Sequence, residues 1–272
     1  MTTTFLTEKT AATLNGQNTV EYTVAGQSLN AMIGKPFSLS FTGKTACIAC
    51  GNTHDELDNG YCPTCQATLA KCDICNIKPE LCHFDAGTCR QPDWAAENCM
   101  TAHVIYLSNT SGVKIGITRE KNIADRSRWI DQGATQALPF LRVSNRLTAG
   151  QIEVVIAAVM ADKTNWRTML TGNGEIVDLK AIAAELNTRF EAEFALYGDR
   201  ILERLNADVV TLEFPVQTFP AKVGNAWNVK KQPTLSGVLV GIKGQYIMVD
   251  VAGKIEVLNL RKYAGHEVTI SN

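Results

Sequence analysis

HVIYLSNTSGVKIGIT, residues His103 to Thr118, decides how the rest of the chain is read. Two β-branched runs, HVIYLS and VKIGIT, flank Asn109-Thr110-Ser111-Gly112, and that composition predicts a β-hairpin. C-terminal to it, Gln151 to Asp162 predicts an amphipathic helix, with Ile152, Val155, Ile156 and Val159 at helical spacing. A second helix is predicted from about Leu179 to Leu205, where Ile182, Leu186, Phe190, Phe194 and Ile201 keep one apolar face. After Asp208 the period changes: VVTLEFPVQTFP and SGVLVGIKGQYIMVDVAGKIEVLNL read as strands with Gly-containing turns, Gly241 to Tyr246 among them, and predict a small barrel or sandwich. On the N-terminal side, EYTVAG and PFSLSF read as short strands between Tyr22 and Phe41. The fold class expected is α+β, in four parts: a β segment (1–45), a Cys-rich module (46–100), a central core with a helical extension (101–207) and a C-terminal β domain (208–272) able to pack against the N-terminal strands.

Composition narrows the function classes. The chain has 272 residues, Lys+Arg 26 against Asp+Glu 27, and an apolar share of 45%; that balance lets it bury a core and excludes disorder as its bulk state. Eight prolines among twenty glycines exclude a collagen-like repeat. No stretch approaches the roughly 18 apolar residues of a membrane helix, and MTTTFLTEKT lacks the basic and apolar regions of a signal peptide, so a cytoplasmic protein without a membrane partner is expected. A net charge of -1 gives no global drive toward nucleic acid, which leaves local charge to supply any.

All nine cysteines lie between Cys47 and Cys99. An odd, clustered count without a signal peptide points to metal ligation rather than disulfides. Cys47-Ile-Ala-Cys50 and Cys62-Pro-Thr-Cys65 are two Cys-x-x-C knuckles, joined by a segment ending in the turn pair Asn59-Gly60, and together supply four thiolates for one tetrahedral Zn²⁺. A second ion is expected from Cys72, Cys75, Cys82 and Cys89, the most compact all-thiolate set, while His83, Cys99 and His103 remain alternative ligands. Four protein ligands leave no open position, so such zinc ions, one or two in number, are structural.

The hairpin resembles the opening of GIY-YIG nuclease domains. Val104-Ile105-Tyr106 stands in the place of the first triplet and Lys114-Ile115-Gly116 in that of the second. Arg126 and Arg128 follow in IADRSRWI, then Glu153 in AGQIEVVI and Asn165 in TNWR, in the order that superfamily uses. This resemblance covers about Ala102 to Met169. The run from CHFDAGTCRQPDW through RWIDQGA also resembles an uncharacterised bacterial family that joins Cys-rich segments to such a core, over most of the chain. The resemblance implies Tyr106 as base or base partner, Arg128 on a phosphate, Glu153 holding a catalytic Mg²⁺ or Mn²⁺ and Asn165 orienting the site. Val104 replaces the first glycine, and Lys114 replaces a tyrosine, so a fixed positive charge stands where a phenol belongs.

An arginine fork suits phosphate oxygens, and one carboxylate with phosphate and waters is a common Mg²⁺ arrangement. Each residue also has an ordinary role open to it: Tyr106 a strand tyrosine, Glu153 a solvated helix position, Asn165 a helix cap. Around the hairpin, Lys114, Arg119, Lys121, Arg126, Arg128, Arg142 and Arg146 outnumber the acids, which makes Arg119, Lys121 and Arg126 candidate nucleic-acid contacts. The C-terminal lysines, Lys243 among them, and the aromatics Trp227 and Tyr246 offer a second basic face with stacking platforms. The leading expectation is a metal-dependent phosphodiester hydrolase acting on DNA or RNA. The alternatives are a zinc-stabilised nucleic-acid-binding protein without cleavage, and a protein-interaction scaffold.

Overall fold

The predicted hairpin forms the spine of a five-stranded antiparallel sheet. β6 (His103–Asn109) pairs with β7 (Val113–Arg119) on one side and with β8 (Gln136–Val143) on the other. The structure is a computed structural model and describes residues 2–272. Every residue of β6 is buried, because its two faces serve different cores. Ile105 and Leu107 pack with Phe140, Ile152 and Ile156, whereas Tyr106 points the other way into a core shared with Trp129, Leu39 and Ile242. Burial on both faces explains why HVIYLS reads as a continuous apolar run rather than an alternating one. The short strands β9 (Ile201–Arg204) and β10 (Val210–Thr211) both pair with β8.

Helix boundaries differ from the sequence expectation. α4 occupies Arg146–Ala157, not Gln151 to Asp162, because the Asn145 side chain accepts a hydrogen bond from the Thr148 N–H and starts the helix early. Val159 lies past its end and is 40% exposed. The long second helix is also corrected: α6 (Leu179–Arg189) and α7 (Glu191–Ala195) end before Gly198, whose φ is +50°. Ile201 therefore belongs to β9, where it pairs with Val143. α3 (Ser127–Asp131) precedes β8, and α5 (Trp166–Met169) lies between α4 and α6.

The N- and C-terminal β segments are not separate units. β1 (Thr2–Leu6) pairs with β14 (His266–Ser271), which pairs with β5 (Pro36–Thr45), which pairs with β11 (Thr234–Lys243). β12 (Tyr246–Val251) and β13 (Lys254–Asn259) complete a six-stranded antiparallel sheet. The division at residues 45 and 208 thus cuts through one sheet, and the expected C-terminal barrel or sandwich is replaced by an open sheet whose edges are β1 and β13. β2 (Ala11–Leu14), β3 (Val20–Val24) and β4 (Gln27–Ser28) form a third small sheet, which contributes Val20 and Tyr22 to the core under Tyr106. The Cys-rich segment carries α1 (Pro63–Thr68), α2 (Pro92–Asn98) and three single 3-10 turns. Among the described residues no helix is long and apolar enough to cross a membrane.

Candidate metal centre and polar cleft

The sulfurs of Cys47, Cys50, Cys62 and Cys65 all lie within 4.8 Å of one another, and Cys50 Sγ is 3.8 Å from Cys62 Sγ. Cys47 follows the end of β5, while Cys62 and Cys65 bracket the start of α1, with Pro63 at its first position. Burial raises the Cys47 thiol, but the N–H groups of Cys62, Cys50 and Ala49 directed at its sulfur outweigh this and bring it down to about 6. Four clustered sulfurs with backbone donors suit a soft divalent ion such as zinc, bound at about 2.3 Å per sulfur. This centre could hold a structural metal and offers no free coordination position.

The remaining cysteines divide differently from the sequence expectation. Cys72 lines an open groove with Lys9, Tyr61, Asn76 and Arg261. Cys75, Cys82 and Cys89 instead face one small cavity, together with Cys99. Cys72 ends the 3-10 turn Ala70–Cys72 and Cys75 sits in the next, Ile74–Asn76, and the two line different depressions. Asp73, Cys75 and His83 also lie within 4.8 Å of one another. Asp73 is already engaged by Arg90 Nε at 2.7 Å, and His83 Nδ1 lies 2.8 Å from Thr88 Oγ1. His103 stands wholly buried on β6; its Nδ1–H donates to the Thr101 carbonyl, and burial lowers it to about 4, so the ring is neutral.

A polar cleft of about 480 Å³ opens between the five-stranded and six-stranded sheets. Lys114, Arg128, Asp162, Trp166 and Tyr246 line it. Tyr106 lies behind the lining, fully buried, and its phenol donates to Gln132 Oε1 at 2.9 Å. The ring meets Trp129 edge-on and lies over its cross-strand partner Gly116, where a Cβ would stand 2.6 Å from the phenol oxygen. Glycine at position 116 is therefore what admits this tyrosine. Burial raises the Tyr106 pKa against the opposing charge of Arg128, so the phenol is protonated at neutral pH and serves as a donor.

Lys114 is 3% exposed, and its Nζ donates to the carbonyls of Asp162 (3.0 Å) and Ile115 (3.2 Å). Burial and the nearby Arg128 lower it to about 8, against Glu153 and Asp162. Glu153, on α4, is raised by burial and held down by Lys114 and Arg128. Lys114 and Arg128 thus share the cleft lining, and Tyr106 and Glu153, which do not line it, are near enough for Arg128 to act on Tyr106 and for both cations to act on Glu153. Asn165 is not brought into this group: its Oδ1 caps α5 by accepting from the Arg167 and Thr168 N–H groups.

The proposed nucleic-acid contacts outside the cleft have other partners. Arg119 Nε donates to the Asn98 carbonyl and its guanidinium lies over Trp94, while Lys121 Nζ reaches Asn98 Oδ1. Both tie β7 and the turn after it to the end of α2. Arg126 donates to Asn18 Oδ1 and takes a left-handed conformation at φ +55°. Lys243 is removed from the basic face: it is fully buried, donating to the Gly172 carbonyl and to Asn173 Oδ1.

Of the residues that reach the cleft from far along the chain, sequence reasoning names Tyr246 as a stacking platform and misses the others. Asp131 pairs with Lys9 at 2.6 Å and accepts from Gln245 Nε2 at 2.9 Å. Trp166 stacks on Tyr246, centroids 5.3 Å apart and planes 4° from parallel, with the Arg167 guanidinium 4.4 Å from the Trp166 centroid. Tyr246 carried a signal as an aromatic next to a hairpin turn, whereas Asp131, Gln132 and Gln245 carried none.

No curated protein and no solved structure shows a significant match to the chain. A family match, by contrast, runs from residue 34 to 268, taking in the Cys-rich segment, the central sheet and most of the six-stranded one. The chain belongs to DUF2797, a family described as a protein of unknown function.

Proposed function

We propose that the cleft binds nucleic acid and hydrolyses its phosphodiester backbone with a divalent ion, Mg²⁺ or Mn²⁺, held by Glu153. The observation that carries this reading is the convergence of Tyr106, Lys114, Arg128 and Glu153 beside a cleft whose wall is the stacked pair Trp166 and Tyr246. Their order along a hairpin, a short helix and a longer helix supports a GIY-YIG-like core for residues 102–169. An aromatic face suits an unpaired base, and a guanidinium beside it suits the adjoining phosphate.

Each side chain then has a role. Arg128 neutralises the phosphate. Glu153 supplies a carboxylate oxygen to the ion, which when bound would lower the pKa of an attacking water and stabilise negative charge on the phosphate. Tyr106, protonated and fixed by Gln132 behind the lining, positions Arg128 rather than serving as the initial base. Lys114, brought to about 8, has a proton to lend a leaving oxygen near neutral pH.

The test uses the full chain with Mg²⁺ or Mn²⁺ on single-stranded, duplex and branched DNA and on structured RNA. Glu153→Gln is expected to lower cleavage at least about 100-fold while leaving binding intact, since removing a negative charge near a phosphate does not weaken attraction. Binding is expected to fall steeply with salt. A protein that binds these substrates and cuts none is a binding protein with an altered second triplet. One that binds none at low salt is a scaffold.

A further inference from the structure

We propose that Cys75, Cys82, Cys89 and Cys99 form a second metal centre for a thiophilic ion of the zinc class, with Arg146 as the cation that faces it. The centre is distinct from the Cys47 cluster and independent of the nuclease reading. The four thiols come from separate places: Cys75 from a 3-10 turn, Cys82 from the end of the Pro79–Leu81 turn, Cys89 from a loop, and Cys99 from the C-terminal end of α2. They converge on a cavity of about 20 Å³, just above the ~10–15 Å³ that one water takes up. The room is that of a single small body, and four sulfurs with no carboxylate favour zinc over Mg²⁺ or Ca²⁺.

The second observation is Arg146, which lines the same cavity. Its Nη2 donates to the carbonyl of Asn76, next to Cys75, at 2.6 Å, while its Nε–H is buried without a hydrogen-bond partner. A buried guanidinium with an orphaned donor is costly beside neutral thiols. Four thiolates around a divalent ion carry a net charge of about −2 by simple addition, and an N–H directed at one of their sulfurs is the kind of outer contact that stabilises such a site. Arg146 begins α4, and α4 presses on the same segment: a Cβ at Gly150 would lie 2.5 Å from Pro79 Cβ. The cation is thus held against the cavity by the helix that carries Glu153.

No three of these four sulfurs lie within 4.8 Å of one another, so binding requires thiols to turn into the cavity they already line. The rival trio Asp73, Cys75 and His83 offers only three donors, with Asp73 committed to Arg90.

Metal content per chain, by elemental analysis and native mass spectrometry of the full protein, tests the assignment. The wild type is expected to carry two ions. Cys99→Ser and Cys89→Ser should each carry one, as should Cys62→Ser through the other centre, while Cys72→Ser and His83→Ala keep two. A Cys99→Ser protein that keeps both ions, or a Cys72→Ser protein that loses one, overturns the proposal. Should Cys99→Ser fail to fold, Co²⁺ titration of the metal-free wild type decides: thiolate-to-cobalt absorption must grow to two equivalents with four-thiolate intensity at each. Saturation at one equivalent, or mapping of disulfides among these four cysteines, refutes it. Arg146→Gln is expected to weaken the second equivalent about 10–100-fold and to leave the first unchanged.

Discussion

The Cys-rich segment and the central sheet lie side by side yet are held by different physics. Around Cys47, Cys62 and Cys65 the apolar company is Leu57, Tyr61 and Leu69, and nearby Ile77 is 76% exposed. β6, by contrast, has no exposed residue and feeds two cores at once. A segment with so little buried apolar surface gains little from a core of its own, and a metal at the four-cysteine cluster could stand in for one. The sheet needs no such help, because each residue of β6 removes apolar surface from water on one side or the other. The difference teaches that one chain can pair a region equipped for a few strong local bonds with another fixed by many weak shared contacts.

The largest effect that could break this contrast is metal removal. Chelation is expected to abolish order in residues 46–100, and Cys62→Ser only in the part around its own centre, residues 46–69, while the central sheet persists in both, read by amide hydrogen exchange and limited proteolysis. Simultaneous loss of both regions would show that they form one cooperative unit. Next comes Ile105→Ala, which hollows the core between β6 and α4 and should cost about 2–5 kcal/mol in urea unfolding. Its metal content should be unchanged. Gly116→Ala is expected to cost about 1–3 kcal/mol, because its Cβ collides with the Tyr106 phenol, and to reduce activity at the cleft without altering metal binding.

The smallest signal is a pH slope. Lys243 is lowered by burial to about 8 from an ordinary 10.5. Between those values the unfolded chain holds the proton that the folded one has released, so this group makes stability rise with pH from about 8 to 10.5. Below pH 8 both states are protonated and the burial cost is present in full. Urea unfolding at pH 7.5, 9 and 10 should show this rise in the wild type and a flatter profile in Lys243→Met.

What could be read from sequence follows the same division. Cys47, Cys50, Cys62 and Cys65 announce themselves because ligand spacing is local, and the β6–β7 hairpin because Asn109 to Gly112 is turn chemistry between β-branched runs. Tyr106, Lys114, Arg128 and Glu153 were named together only through the order of a resemblance. Thr2–Leu6 and Ala11–Leu14 were missed as strands, since neither has enough apolar residues to mark a strand by itself. The pairing of β5 with both β14 and β11 was illegible, because partners such as Ser40 and Thr269 bear no mark of each other. For the same reason Gln245 and Asp131 could not be placed in contact, nor Cys99 beside Cys75, Cys82 and Cys89.

The long-range pairing of β5 has a consequence for synthesis on the ribosome. Pro36–Thr45 emerges early, with both hydrogen-bonding edges destined for strands between residues 234 and 271. Until those residues have cleared the exit tunnel, PFSLSFTGKT has no native sheet partner, and its apolar side chains Phe37, Leu39 and Phe41 stay available to other chains. The β6–β8 sheet can pair while translation continues. The growing polypeptide therefore carries an unpaired β5 ahead of its completed central sheet, so slowed elongation across residues 46–233 should increase aggregation of this protein more than slowed elongation before residue 36.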